Sequence, residues 1–84
     1  MAMPITMPKF GQTMTEGSVY SWEIQEGAYI GKGDILLKVE SDKAVLEVEA
    51  EDSGYLLKIV VPPGVMVPCG EVIAYLGEQG ESVP

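Results

Sequence analysis

Residues 44–51 read Ala44-Val45-Leu46-Glu47-Val48-Glu49-Ala50-Glu51, the cleanest alternation of apolar and acidic side chains in the chain. Successive side chains of a β-strand point to opposite faces, so this pattern predicts a strand with its glutamates toward water. A helix would scatter the same acids around its circumference. The residues that should face a core are Ala44, Leu46, Val48 and Ala50.

Short strands of the same kind account for the rest of the chain. No stretch of ten or more residues carries a helical apolar period, and glycine or proline interrupts the sequence every several residues. The pattern therefore predicts an all-β domain. The predicted strands are Ile5–Met7, Gly17–Ile24, Ile35–Glu40, Ala44–Ala50, Gly54–Val60 and Val72–Leu76.

An internal repeat relates the two halves of the sequence. A shift of 37 residues superimposes three pairs of glycines and seven pairs of apolar residues, among them Val19 with Leu56. Each half then contains a strand, a turn, a short apolar strand, a glycine, an acid and a further strand. Two such halves predict a flattened β-barrel or sandwich of two small antiparallel sheets with a pseudo-twofold axis. Gly27 and Gly64 should supply positive φ in their turns.

The repeat also predicts where the turn at Ser41–Lys43 lies. The strand that follows this turn corresponds, within a few residues, to the N-terminal strand, so the turn corresponds to the gap between the chain ends. The turn and the termini should therefore occupy opposite ends of the domain. After Leu76 the sequence becomes polar and loses its alternation, which predicts a domain over residues 1–77 and the start of a flexible linker over 78–84. Met1-Ala2 is expected to be a natural start.

Composition excludes several classes of function. A net charge of −8, with five lysines and no arginine, disfavours binding to nucleic acid or to anionic membranes. The single Cys69 and the absence of histidine disfavour a disulfide, a metal site and nucleophile–histidine catalysis. The N-terminus lacks the pattern of a signal peptide, which favours a soluble cytoplasmic protein, with the isolated domain a monomer.

Lys43 stands in the predicted turn beside Glu40 and Asp42. Ser41 and Asp42 favour turns because their side chains bond nearby backbone groups. From these residues alone, Lys43 could be an ordinary solvated lysine on an acidic hairpin.

Short blocks in a fixed order narrow the interpretation. They are Met7-Pro8, Met14-Thr15-Glu16-Gly17, Trp22, Glu26-Gly27, Lys32-Gly33-Asp34 and Glu40-Ser41-Asp42-Lys43-Ala44. Over nearly the whole chain, their order and spacing resemble the lipoyl domains of 2-oxo acid dehydrogenase acyltransferase subunits, which are biotinyl/lipoyl-attachment domains. The resemblance implies a barrel-sandwich hybrid fold, with lipoate in amide linkage to Lys43. It also implies a carrier that is not itself a catalyst, within a parent dihydrolipoamide acyltransferase.

The same resemblance implies a set of partners. The lipoyl group would act as a swinging arm between a thiamine-dependent 2-oxo acid or acetoin dehydrogenase component, the acyltransferase domain of the parent chain and dihydrolipoamide dehydrogenase. A lipoate ligase or octanoyltransferase would attach it. The opening Met3–Lys9 and Met14–Gly17 lean toward pyruvate or acetoin complexes over 2-oxoglutarate. The location would be the cytoplasm in a bacterium, or the mitochondrial matrix in a eukaryote.

Five further residues receive recognition roles from the resemblance. Asp42 and Ala44 should shape the turn that presents the lysine to the ligase, and Glu40 should help a partner recognise the hairpin. Phe10 and Gln12 belong to a loop that lies near the lipoyl hairpin in the family, where dehydrogenase contacts also occur. Phe10 is equally well explained as a residue tucked inward.

Rival functions have weaker support. A biotinyl carrier domain of a carboxylase shares the fold, but that family flanks its lysine with methionines, whereas Asp42 and Ala44 stand here. A glycine-cleavage carrier is longer and has extra helical segments. An unmodified interaction module and a free enzyme stay as further alternatives, although nothing in the sequence indicates a concave catalytic site.

Overall fold

Short strands joined by tight turns make up the chain, as its glycine and proline punctuation requires. The computed structural model describes residues 2–11, 14–41 and 44–83. The strands are β1 (Met3–Thr6), β2 (Glu16–Trp22), β3 (Tyr29–Ile30), β4 (Ile35–Glu40), β5 (Val45–Glu49), β6 (Gly54–Ile59), β7 (Met66–Pro68) and β8 (Val72–Gly77). In these ranges no helix is long and apolar enough to cross a membrane.

The strands form two four-stranded antiparallel sheets, ordered β1-β8-β6-β3 and β5-β4-β2-β7. The predicted all-β fold of two small sheets is therefore confirmed. Ile35–Glu40 matches its predicted strand at both ends, and each of the other five predicted strands differs from the structure by at most two residues at an end. These shifts fall at strand ends, where side-chain alternation no longer decides which residues pair.

The two sheets obey the symmetry that the repeat predicts. In the 37-residue register β2 corresponds to β6 and β4 to β8, and each sheet then has the same strand order. The hydrogen bonds repeat as well: the N–H of Gly27 donates to the carbonyl of Leu56 at 2.6 Å, and that of Gly64 to Val19 at 2.9 Å. Gly27 and Gly64 have φ of 93° and 90°, as predicted.

The halves exchange their short strands. β3 follows β2 along the chain but pairs with β6 in the other sheet, and β7 follows β6 but pairs with β2. The first strand of each half behaves in the same way, since β1 pairs with β8 and β5 with β4, so each sheet holds two strands from each half. The exchange links the two sheets through the chain at two edges, β3 of one sheet and β7 of the other.

The core lies between the sheets and comes mainly from their central strands. Val19, Leu37 and Val39 of one sheet and Leu56 and Ile73 of the other are completely buried. Trp22 packs against this cluster, and its Nε1–H donates to the carbonyl of Val61 at 3.0 Å. Since burial of apolar area is the main stabilising term of a small domain, these residues hold the sheets together.

Residues 44–51 alternate between solvent and the core side with an exception at Ala44, and Leu46 is half-buried. The glutamates at 47, 49 and 51 are exposed, Val48 packs against the core and Ala50 is buried, as predicted. The prediction that Ala44 faces the core is wrong, because Ala44 is exposed. It precedes β5, and its backbone bonds to Ser41 in the turn, so strand alternation does not reach it.

The hairpin between β4 and β5 and the chain ends lie far apart. Glu40, the last residue of β4, pairs with Ser18 near the start of β2. Gly77, the last residue of β8, pairs with Tyr55, which also pairs with Tyr29 beyond the end of β2. A Cβ on Gly77 would lie 3.3 Å from the Cα of Ala2, so both termini share that second end. The predicted opposition of turn and termini follows from this pairing.

Beyond β8 the chain folds into a further turn. The N–H of Glu81 donates to the carbonyl of Glu78, and the Oε1 of Glu81 accepts the N–H of Glu78, both at 3.0 Å. The predicted linker over 78–84 thus starts with a hydrogen-bonded turn. Its boundary at residue 77 stays a prediction.

Candidate functional site

The β4–β5 hairpin forms one end of its sheet. Its strands pair in register from Ile35 with Glu49 to Glu40 with Val45, with one irregularity between Ile35 and Leu37. Lys38 stands opposite Glu47 on the solvent face, where opposite charges add modest stability. Ordered pairing up to Glu40 and Val45 means that the chain reverses within residues 41–44.

Ser41 and Ala44 close this reversal through three hydrogen bonds. The backbone N–H and the hydroxyl of Ser41 both donate to the carbonyl of Ala44, at 2.9 and 3.0 Å, and the N–H of Ala44 donates to Ser41 Oγ at 3.3 Å. Serine suits this position because its hydroxyl can donate and accept at once. The predicted site residues Asp42 and Lys43 lie between these two residues in sequence, outside the described residues.

The other predicted recognition residues divide between surface and core. Glu40 and Ala44 are exposed on the two sides of the turn. Phe10 is half-buried and packs against the core, in keeping with the inward alternative, and its N–H donates to Met14 Sδ at 3.2 Å. Gln12 lies outside the described residues. The structure therefore brings Glu40 and Ala44 together at the hairpin.

The loop from Met7 to Glu16 is where the symmetry of the halves fails. Met7 bonds to Gly70 and Glu71 as Ala50 bonds to Gly33 and Asp34, so the two positions are equivalent. The connection that follows Met7 is longer than the one that follows Ala50. Its last residues reach the hairpin, as the family resemblance suggests.

Met14 lies near the base of the hairpin. Its Cε lies 2.7 Å from the point where a Cβ on Gly17 would stand, and Glu40 O lies 3.4 Å from the same point. The absence of a side chain on Gly17 therefore leaves room for the Met14 side chain close to the last residue of β4.

A shallow depression of about 240 Å³ lies at this junction. Among the described residues, its lining includes Met14, Glu16, Ser18, Glu40, Ser41 and Met66. Sequence reasoning missed Ser18 and Met66 as site residues. The repeat contained the signal, because it aligns Ser18 with Tyr55 and Met66 with Tyr29, replacing two aromatic rings with smaller or more flexible side chains.

Comparison with known proteins assigns the chain to a family. The family model described as "Biotin-requiring enzyme", for biotin and lipoyl attachment, matches residues 3–76, which include all but the last residue of the eight strands. The chain belongs to this biotin- and lipoyl-attachment family. The two symmetric sheets and the order of the sequence blocks agree with this membership.

Within the family the chain is a lipoyl domain. It resembles the solved lipoyl domain of the 2-oxoglutarate dehydrogenase complex from Azotobacter vinelandii, with a TM-score of 0.74, 32% identity, and coverage of 92% of this chain and 98% of that one. The comparisons thus favour a lipoyl over a biotinyl domain. A lipoyl domain is a small carrier and not itself a catalyst.

The curated relatives are much longer proteins. The chain is 43% identical over 84 residues to the dihydrolipoyllysine-residue acetyltransferase component of the pyruvate dehydrogenase complex of Zymomonas mobilis. It is 42% identical over 83 residues to the mitochondrial pyruvate dehydrogenase complex protein X component of Chaetomium thermophilum. These matches cover 99% and 98% of this chain but 19% of each relative, so the lipoyl domain corresponds to about a fifth of such a protein.

Proposed function

We propose that Lys43 carries lipoate in amide linkage and that this lipoyl domain is the swinging arm of a dihydrolipoamide acyltransferase. The observation that supports the proposal is the Ser41–Ala44 closure, which lies at the end of the domain away from the termini. An attached group at that end can move without meeting a tether that leaves from the other. The residues therefore fit lipoate.

The chain's own residues would present and restrain the arm. Ser41 and Ala44 close the hairpin through their hydrogen bonds, and Met14 lines a depression together with Glu40 and Ser41. Exposed Glu40 offers a charge that a ligase or a dehydrogenase component could recognise. When attached, lipoate supplies a disulfide that accepts acyl groups and reducing equivalents. The protein supplies position and tethering, which raises the effective concentration of the arm at each enzyme.

The parent complex is proposed to be a pyruvate dehydrogenase complex. The relatives named above belong to pyruvate dehydrogenase complexes, which agrees with the lean of the opening sequence. The partners would be the thiamine-dependent dehydrogenase component, the acyltransferase domain of the parent and dihydrolipoamide dehydrogenase. Bacterial and mitochondrial relatives both occur, so either the cytoplasm or the mitochondrial matrix would house it.

Intact mass after expression with lipoate and a lipoate ligase tests the attachment. We expect the wild-type domain to gain the mass of one lipoyl group and Lys43→Ala to gain none. Lys58→Ala, which removes an exposed lysine of β6, should still be modified. The lipoylated domain is then offered to dehydrogenase components specific for pyruvate, acetoin and 2-oxoglutarate, and the first should acylate it fastest.

Two results would contradict the attachment. One is an unmodified wild-type domain beside a control lipoyl domain that the same ligase modifies. The other is modification by a biotin ligase and not by the lipoate ligase, which would support the alternative that the chain is a biotinyl carrier domain. Faster acylation by the 2-oxoglutarate or acetoin component would leave Lys43 in its role and overturn only the pyruvate assignment.

A further inference from the structure

The depression beside the hairpin exists because the two halves differ at one cross-strand row. On the hairpin side the row is Glu40–Ser18–Met66, running across β4, β2 and β7. The equivalent row near the termini, across β8, β6 and β3, is Gly77–Tyr55–Tyr29. Both rows have the same pairing, so their difference lies in the side chains.

The aromatic row is filled and the hairpin row is open. The rings of Tyr29 and Tyr55 pack edge to face, with centroids 5.2 Å apart and planes at 70°. At the position equivalent to Tyr55 stands Ser18, whose smaller side chain lines the depression, while Met66 and Tyr29 are similarly exposed, at 57% and 59%. The same backbone pairing accommodates a tyrosine in the row near the termini, where Gly77 stands in place of Glu40. We therefore expect that the fold does not require a small residue at position 18.

The depression is large enough to hold a small ring. A cavity of about 150 Å³ is large enough to hold benzene, and the depression measures about 240 Å³. Its apolar lining comes from the flexible, polarisable thioether side chains of the exposed Met66 and of Met14, which is 9% exposed. The carboxylates of Glu16 and Glu40 also line it, and an uncharged ring can lie beside them. Ser41, two residues before Lys43 in the chain, lines it as well.

We infer that this depression is a resting site for the dithiolane ring of the lipoyl group carried by the same chain. The inference rests on the proposed attachment at Lys43. The ring lies against Met66 and Met14, above Ser18, and leaves when a partner enzyme binds it. The arm of the proposed carrier therefore alternates between a docked and a free state.

Weak contacts suffice for this docking because the ring is tethered. A short flexible tether gives an effective concentration on the order of millimolar. A contact with a Kd in that range holds the ring for about half of the time and releases it for the other half. Docking of this strength leaves the arm free to reach its partners.

Methyl NMR on the lipoylated domain tests the resting site. With ¹³C-methyl methionine, lipoylation should shift the Met66 and Met14 signals and leave Met3, on β1 beside the termini, unchanged. Nuclear Overhauser contacts should join the dithiolane protons to the Met66 methyl. Both effects should disappear in Ser18→Tyr, which fills the depression as Tyr55 fills the equivalent row.

Ser21→Tyr is the matched control, because it makes the same change on the same strand, outside the lining residues. It should keep both the shifts and the Overhauser contacts. If Ser18→Tyr does not fold or is not modified, the Overhauser contact between the ring and Met66 in the wild-type domain alone decides whether the resting site exists.

The outcomes separate this inference from the proposed function. Intact mass is recorded on the same samples. No adduct overturns both proposals. An adduct without contacts to Met66, or contacts that persist in folded, lipoylated Ser18→Tyr, overturns the resting site and leaves the attachment standing.

Discussion

At Gly17 a Cβ would meet Met14 Cε at 2.7 Å and Val39 Cγ1 at 3.3 Å, whereas at Gly27 it would meet nothing within 4 Å. Gly17 is therefore required by space. Gly27 is required by its backbone, because its φ of 93° is rare for residues with a side chain. Two glycines of the same repeat element thus answer to different constraints, which a sequence pattern alone does not distinguish.

Substitutions in the two symmetric turns should have a purely conformational cost. Gly27→Ala and Gly64→Ala each force an alanine into the left-handed region, which costs about 1–2 kcal/mol. For a domain of this size, each kcal/mol lowers Tm by roughly 4–8 °C. Thermal unfolding followed by circular dichroism measures the change.

Asparagine provides the comparison for these turns, because it tolerates positive φ better than alanine does. Gly27→Asn and Gly64→Asn should lose less stability than the alanine variants. Unchanged melting temperatures in both alanine variants would refute the role of positive φ in these turns.

At the scale of an element, β5 is an edge strand that carries its charges outward. It pairs only with β4 in its sheet, and Glu47 and Glu49 are exposed along it. Charged side chains on an edge strand discourage pairing with another molecule. The alternation that predicts the strand therefore also disfavours edge-to-edge pairing between molecules.

Removing those charges should make the edge strand prone to self-association. The double variant Glu47→Val, Glu49→Val leaves a more apolar β-branched strand at the edge, so we expect self-association that increases with concentration in sedimentation velocity. The control is Glu51→Val with Asp52→Val, which loses the same charge in exposed residues beyond the strand. Equal association of the two variants, or none in either, would speak against protection by the edge charges.

The C-terminal turn is an element whose stability should depend on pH. The hydrogen bond from the backbone N–H of Glu78 lowers the pKa of the Glu81 carboxyl from its ordinary value of 4.5. A carboxyl with a lowered folded-state pKa stabilises the turn above its unfolded-state pKa and loses that contribution as pH falls through the folded-state value. The turn should therefore loosen below pH 4.5, seen as a titration of the Glu78 and Gly80 amide shifts.

Glu81→Gln tests the assignment of this titration. Glutamine cannot titrate, so the amide shifts of the turn should lose most of their pH dependence. A titration of the same size in Glu81→Gln would show that another group controls the turn.

At the scale of the whole molecule, periodicity and the repeat sufficed to predict the two sheets, the positive φ of Gly27 and Gly64, and the opposition of hairpin and termini. They succeeded because alternation reports burial and a repeated sequence folds twice in the same way. Ala44 was misassigned because local bonds to Ser41 override alternation at a strand end. The repeat marks Ser18 and Met66 as smaller or more flexible than their counterparts, but only the pairing of β2 with β4 and β7 shows that they lie in one row beside the hairpin.

The exchange of β3 and β7 makes the folding of each half depend on the other. By sequence β3 belongs to the first half, yet it completes the sheet of the second, and β7 does the reverse. Neither half can complete a sheet alone, so fragments divided between β4 and β5 should fold only when they are mixed. The two similar halves are thus intertwined like the subunits of a strand-exchanged dimer, joined into one chain between β4 and β5.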